Sequence, residues 1–140
     1  METETAKNAL ISFFRKMNSW ETEGRALVQE QGIENVRDEL REKLTTIYDE
    51  FLIKSGSKYG RLGGPHIGYP PEYDEMREEI TGMDQSNPAK VVIATLWRHP
   101  AVSDFTRNQK YTLSARNGKW RIAKKEIFRP ATGQWENLVF

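Results

Sequence analysis

The stretch KVVIATLWRHPAVSDFTRNQKYTLSARNGKWRIAKKEIF, residues 90 to 128, decides the fold. Within it VVIATLWR (Val91–Arg98) is short, β-branched and aromatic. QKYTLSAR (Gln109–Arg116) places Tyr111, Leu113 and Ala115 on one face, and KWRIAKKEIF (Lys119–Phe128) does the same with Trp120 and Ile122. The spacing predicts three consecutive antiparallel strands. Asn117-Gly118 joins the last two, and this dipeptide tolerates the positive φ values of a two-residue type I′ hairpin, so it sets register as well as direction.

A sheet with one apolar face needs a cover, and helical periodicity occurs only in the first half of the chain. Helices followed by strands predict an α+β fold, with N-terminal helices packed in an antiparallel sheet, rather than a doubly wound parallel one. In the first helix Ala6, Leu10, Phe13, Phe14 and Met17 form an apolar stripe. A break is expected near Asn18 to Glu21, with a restart into a short helix that reaches Gln31 and ends at Gly32. Phe13, Phe14 and Trp20 read as core rather than as a ligand-facing aromatic wall. The second helix, N-capped by Asn35, carries the stripe Val36, Leu40, Leu44, Ile47, Tyr48, Phe51 and Leu52.

From Ser55 to Asp74 the sequence turns to SGSKYGRLGGPHIGYPPEYD, a glycine-, proline- and tyrosine-rich connection expected to be an ordered loop or irregular edge strand. A fourth strand is expected near Glu79 to Met83. After Arg129-Pro130 and a turn at Thr132-Gly133-Gln134, the apolar residues Trp135, Leu138, Val139 and Phe140 are expected to pack on the sheet edge, a homodimer contact being the alternative.

At 140 residues the chain fits one domain, residues 1 to 140, and it contains no cysteine, which excludes disulfides, thiolate metal sites and cysteine nucleophiles. No window approaches a membrane span and no secretory signal pattern opens the sequence, so a cytoplasmic protein is expected. The net charge of +1 hides a division: residues 1 to 85 hold 11 Lys+Arg against 17 Asp+Glu, whereas residues 86 to 140 hold 10 against 3. The basic residues are interspersed along strands, without a compact Lys/Arg run, and direct nucleic-acid binding is not expected. The acidic half reads as a surface suited to a basic protein partner or simply as well-solvated helices, the latter being the expectation for any individual charge.

Chemical motifs are sparse. The only histidines, His66 and His99, could pair with Asp74 or Asp104 as a general base beside tyrosines, but they show no spacing pattern. No metal-ligand array, phosphate-binding loop or nucleophile elbow is present, so no cofactor, metal or catalytic residue is expected.

Helices, a glycine-proline connection and then long strands ending in YTLSARNGKWRIAKKE resemble the nuclear transport factor 2-like superfamily over nearly the whole chain. The resemblance implies a strongly curved antiparallel sheet wrapped as a cone around the helices. Within that fold, YPPEYD (Tyr69–Asp74) followed by KVVIATLWR and GKWRI looks like the bacterial immunity proteins, which neutralise toxin domains of polymorphic or contact-dependent toxin systems and are not enzymes. The implied partner is a cognate toxin domain. Carboxylates and tyrosines suit the blocking of a basic cleft, so the expected partner-binding residues are Tyr69, Glu72, Tyr73, Asp74, Glu75, Glu78 and Glu79. The rival readings are a dehydratase- or isomerase-type enzyme of the same fold, using a pocket His-Asp pair, and a dimeric scaffold.

Overall fold

A computed structural model describes residues 2–53, 67, 71–138 and 140. Two helices, α1 (Glu2–Gln31) and α2 (Ile33–Phe51), precede five strands: β1 (Glu78–Asn87), β2 (Lys90–Arg98), β3 (Thr106–Arg116), β4 (Lys119–Arg129) and β5 (Gln134–Leu138). The strands form one antiparallel meander in the order β1-β2-β3-β4-β5, so the architecture is the α+β one that the sequence order requires. Asn117 and Gly118 have φ of 52° and 75°, the left-handed pair that closes a type I′ hairpin between β3 and β4. Register shifts in β1 and between β3 and β4 insert bulges, which bend and twist the sheet around its cover.

The inner face of the sheet receives both helical stripes. Ala6, Leu10, Phe13, Phe14 and Met17 of α1 and Val36, Leu40, Leu44, Tyr48 and Phe51 of α2 are buried against Val91, Ile93, Tyr111, Leu113 and Ile122. Phe13 and Phe14 are core residues, in edge-on or tilted contact with Phe51, Tyr73, Tyr111 and Phe140.

α1 is one continuous helix, without the expected break at Asn18 to Glu21. The polar residues that read as a break are tertiary anchors instead. Asn18 Nδ2 donates to the Tyr73 carbonyl at 2.8 Å, the buried Glu21 carboxylate accepts from the Tyr73 amide, and Trp20 Nε1 donates to the Leu40 carbonyl. The turn to α2 needs one residue, Gly32 at φ 84°, which occupies the N-cap position in place of Asn35; Asn35 lies inside α2 and bonds back to the Gln31 carbonyl. Gly24 serves a different purpose: a Cβ there would collide with Ile67 Cδ1, so its bareness lets Ile67 dock on the helices. Most of the expected loop between Ser55 and Asp74 lies outside the described residues.

β1 is longer than the expected Glu79 to Met83. The C-terminal residues add a strand on the sheet edge, where β5 pairs with β4, and Phe140 reaches the core; Tyr48 Oη donates to its main-chain oxygen at 2.8 Å. Because β5 covers only Lys125 to Arg129 of β4, the first half of β4 has an open edge there, and Leu52 and Ile53 fill part of it.

Leu44 is fully buried at the centre of the α2 stripe. A carboxylate there would cost several kcal/mol of desolvation besides the roughly 1.5 to 3 kcal/mol of lost apolar burial, comparable with the whole stability of a small domain. Leu44→Asp is therefore expected to yield an unfolded chain by circular dichroism, and a soluble, cooperatively melting Leu44→Asp protein would show that this stripe is not the core.

Candidate functional site

The residues expected to meet a partner divide sharply in the fold. Tyr69 lies outside the described residues. Tyr73 is fully buried between Phe13 and Phe14, and Glu78 is 5% exposed, so neither presents a side chain to a partner, contrary to expectation. Their burial has a cause: one end of the sheet's inner face is polar, and these two residues satisfy it. Glu78 Oε2 accepts from Thr95 Oγ1 at 2.7 Å and Gln109 Nε2 at 2.8 Å, and Gln109 also reaches Tyr111 Oη.

Lys125, on β4 and 1% exposed, is the centre of this polar patch. Its Nζ donates to Glu72 Oε2 and Tyr73 Oη, each at 3.2 Å, and stands 4.5 Å from the Tyr73 ring centroid and 5.8 Å from that of Tyr111. A buried ammonium is tolerated only when paired and hydrogen-bonded, and here the partners come from the segment just before β1. Lys125, Asn18 and Glu21 together hold residues 72 and 73 in place.

The segment then emerges. Asp74 closes a tight turn, its carbonyl accepting from the Arg77 amide and its carboxylate from the Met76 amide. Glu75 is exposed and paired with Arg15 through two bonds of 2.7 and 3.1 Å, which hold its carboxyl below the usual range, and Glu79 is exposed and paired with Arg98 at 3.1 Å. The stretch is acidic in sequence, yet arginines and a lysine neutralise much of it in space.

Sequence reasoning missed an apolar cluster beside these acids. The loop between β2 and β3 folds back so that the rings of Trp97, His99 and Phe105 stand edge-on or tilted to one another, with centroids 5.5 to 6.1 Å apart. The Arg107 guanidinium lies 4.3 Å over Trp97, and Trp97 Nε1 donates to the Glu72 carbonyl. Phe105 is 49% exposed, Val102 51% and Met76, in the adjoining turn, 89%. The signal was present, since FTR and HPAV are odd company in a loop, but only folding brings them beside Met76 through the backbone bonds Arg98 N to Arg77 O and His99 N to Phe105 O.

His99 Nδ1 accepts from the Ala101 and Val102 amides at 3.0 Å, so it organises the loop. His66 lies outside the described residues. Neither the groove of about 400 Å³ between α1 and α2 nor that of about 480 Å³ beside the β3–β4 hairpin is lined by His99 or Asp104. Among the described residues no cluster of three or more His, Asp or Glu could hold a metal ion, and no helix is long and apolar enough to cross a membrane.

Comparison with known proteins decides the family. The family model described as NTF2 fold immunity protein matches residues 5–138. The chain belongs to the NTF2-fold immunity protein family. It is also 32% identical over 134 residues to the immunity protein RhsIA of Dickeya dadantii (strain 3937), covering 96% of this chain and 95% of that relative. No solved structure matches significantly. The two helices and five-stranded antiparallel sheet are thus a nuclear transport factor 2-like α+β fold, and the function is that of an immunity protein.

Two outcomes follow from the buried patch. Lys125→Met keeps the stem volume and removes the charge, so it is expected to cost less than about 1.5 kcal/mol, whereas Glu72→Ala leaves the ammonium without its carboxylate and is expected to cost about 3 kcal/mol in urea denaturation; equal costs would contradict the pairing. Burial, and next the Glu78 carboxylate, push the Tyr111 phenol well above its ordinary value of 10.0. The folded state therefore holds this proton more tightly than the unfolded chain. Stability from this source is intact below about pH 10 and falls as pH rises above it, so Tyr111→Phe should flatten the alkaline loss of stability between about pH 9 and 11.

Proposed function

We propose that this immunity protein neutralises its toxin domain by binding it with the rim built from the turn at 74–77 and the loop at 99–105. The observation that carries the reading is the exposure of Met76, Val102 and Phe105 over a rigid base of Trp97, His99 and Arg107, all at one end of the sheet. Aromatic, Met and Arg side chains are the types enriched where interfaces gain their energy, and exposed apolar side chains grouped on a fixed scaffold bind without a large ordering cost. Of the acids expected to make the contact, Asp74 and Glu75 lie in the same turn as Met76, Glu79 is exposed on β1, and Glu72 is half-exposed. They fit the polar fringe of such an interface and supply register and rate rather than most of the affinity.

The protein works as a binder, without chemistry of its own. His99 is committed to its loop through Nδ1 and lines neither the α1–α2 groove nor the one beside the β3–β4 hairpin, which supports binding over a His99-centred base. A homodimer is not needed to explain the apolar C-terminal residues, because β5 pairs on the sheet edge and Phe140 is buried in the core.

The test is binding to the cognate toxin domain, by calorimetry and by protection of cells that express it. Phe105→Ala combined with Met76→Ala should weaken binding by about 30-fold or more, as loss of a central anchor does, with the melting temperature held within a few degrees. Trp135→Ala, on β5 at the sheet edge opposite β1, should leave binding unchanged. Retention of native affinity in the double variant would remove the rim from the interface.

A further inference from the structure

At the opposite end of β3 from the rim, the β3–β4 hairpin carries a feature that partner binding leaves unused. Arg116 and Lys119 face each other as the last cross-strand pair before the turn, and like charges directly opposite in an antiparallel pair repel. Arg121 lies two residues further along β4, on the same face as Lys119. Its Nη1 donates to the carbonyls of Asp49 and Glu50, which fixes the guanidinium at the C-terminal end of α2. Leu52 and Ile53 run alongside, the Ile53 amide bonding to the Ile122 carbonyl at 3.0 Å.

These residues enclose the groove of about 480 Å³, whose described lining is Leu52, Ile53, Arg116, Asn117, Lys119 and Arg121. Three of the six are cations and none is a carboxylate. Among the described residues neither Arg116 nor Lys119 has an ion-pair partner, whereas the other basic residues of the sheet are mostly engaged: Arg98 with Glu79, Lys124 with Glu126, Lys125 with Glu72, Arg129 with Glu136, Arg107 on Trp97 and Lys110 on Trp135. Arg116, Lys119 and the fixed Arg121 thus bring three positive charges to one concave place.

We propose that this groove binds a small phosphate-bearing ligand of nucleotide size. Its volume lies within the range of small-molecule sites, and the guanidinium forks of Arg116 and Arg121 suit the paired oxygens of a phosphoryl group, with Lys119 as a point charge beside them. Leu52 and Ile53 provide an apolar wall for the rest of the ligand. An extended nucleic acid would need a continuous basic track, and the engaged cations elsewhere on the sheet do not provide one.

The test titrates inorganic pyrophosphate and ATP separately into the full chain by calorimetry, with thermal unfolding in parallel, at about 100 mM salt. Saturable one-site binding and a raised melting temperature are expected. The variant Arg116→Ser/Lys119→Ser should lose affinity by about tenfold or more while its ligand-free melting temperature stays equal or rises, because the cross-strand repulsion is relieved. Its affinity for the toxin domain should not change, which separates this site from the rim. Lys119→Ser alone serves if the double variant does not fold. Shifts of equal size with sulfate or citrate would mean an adventitious ion only and would overturn the proposal. So would a variant within twofold of the native affinity, or single-stranded DNA of about 20 nucleotides binding tenfold more tightly than ATP.

Discussion

One buried ammonium ties the two parts of this molecule together. Lys125 projects from β4 into the buried polar end of the sheet's inner face, and a charge in that position needs a carboxylate and a hydroxyl before the sheet can close over it. Both come from Glu72 and Tyr73, distant in sequence and joined by no regular element. The cost of burying the charge thus becomes a force that pins the end of the glycine-proline connection onto the sheet. With Glu72 fixed, its carbonyl receives the Trp97 indole, and the rim takes its shape from there.

This arrangement separates rigid from presented surface. Behind the rim stand a hydrogen-bonded network around Glu78, Thr95 and Gln109 and a close ring cluster. In front of it stand Met76, Val102 and Phe105, which touch solvent. Such preorganisation leaves little side-chain and loop entropy to lose on association. The β3–β4 hairpin at the far end of β3 offers the contrasting chemistry, a concave basic groove with a fixed arginine.

The division of charge along the chain acquires a different meaning in three dimensions. Read linearly, an acidic first part and a basic second part suggest two opposed surfaces. In the fold, Glu72 and Glu79 meet Lys125 and Arg98 from the sheet, and Glu75 meets Arg15 of α1, so the acidic stretch is largely compensated where it reaches the surface. Exposed pairs of this kind contribute little stability, about 0 to 1 kcal/mol each, but they orient the turn at 74–77.

What could be read directly from residue order was whatever depends on periodicity or on local backbone preference. The apolar stripes of α1 and α2, the β-branched and aromatic content of β2, the alternation in β3 and the Asn117-Gly118 hairpin each follow from side chains a few positions apart and stand in the structure where the spacing puts them, whereas a bulge in β4 moves its buried positions from Ile122 to Lys125 and Ile127. Polar residues were less legible, because their meaning depends on partners far away in the chain. Asn18 and Glu21 looked like a helix break and are anchors for Tyr73; Glu78 looked like surface and closes a buried network; Tyr73 looked like a contact residue and is core. Burial of an apolar stripe can be inferred from the stripe alone, since water drives it whatever lies opposite. Whether a carboxylate is free, paired or interior is decided only when the tertiary fold brings its donors within about 3 Å, and that is a property no local pattern encodes.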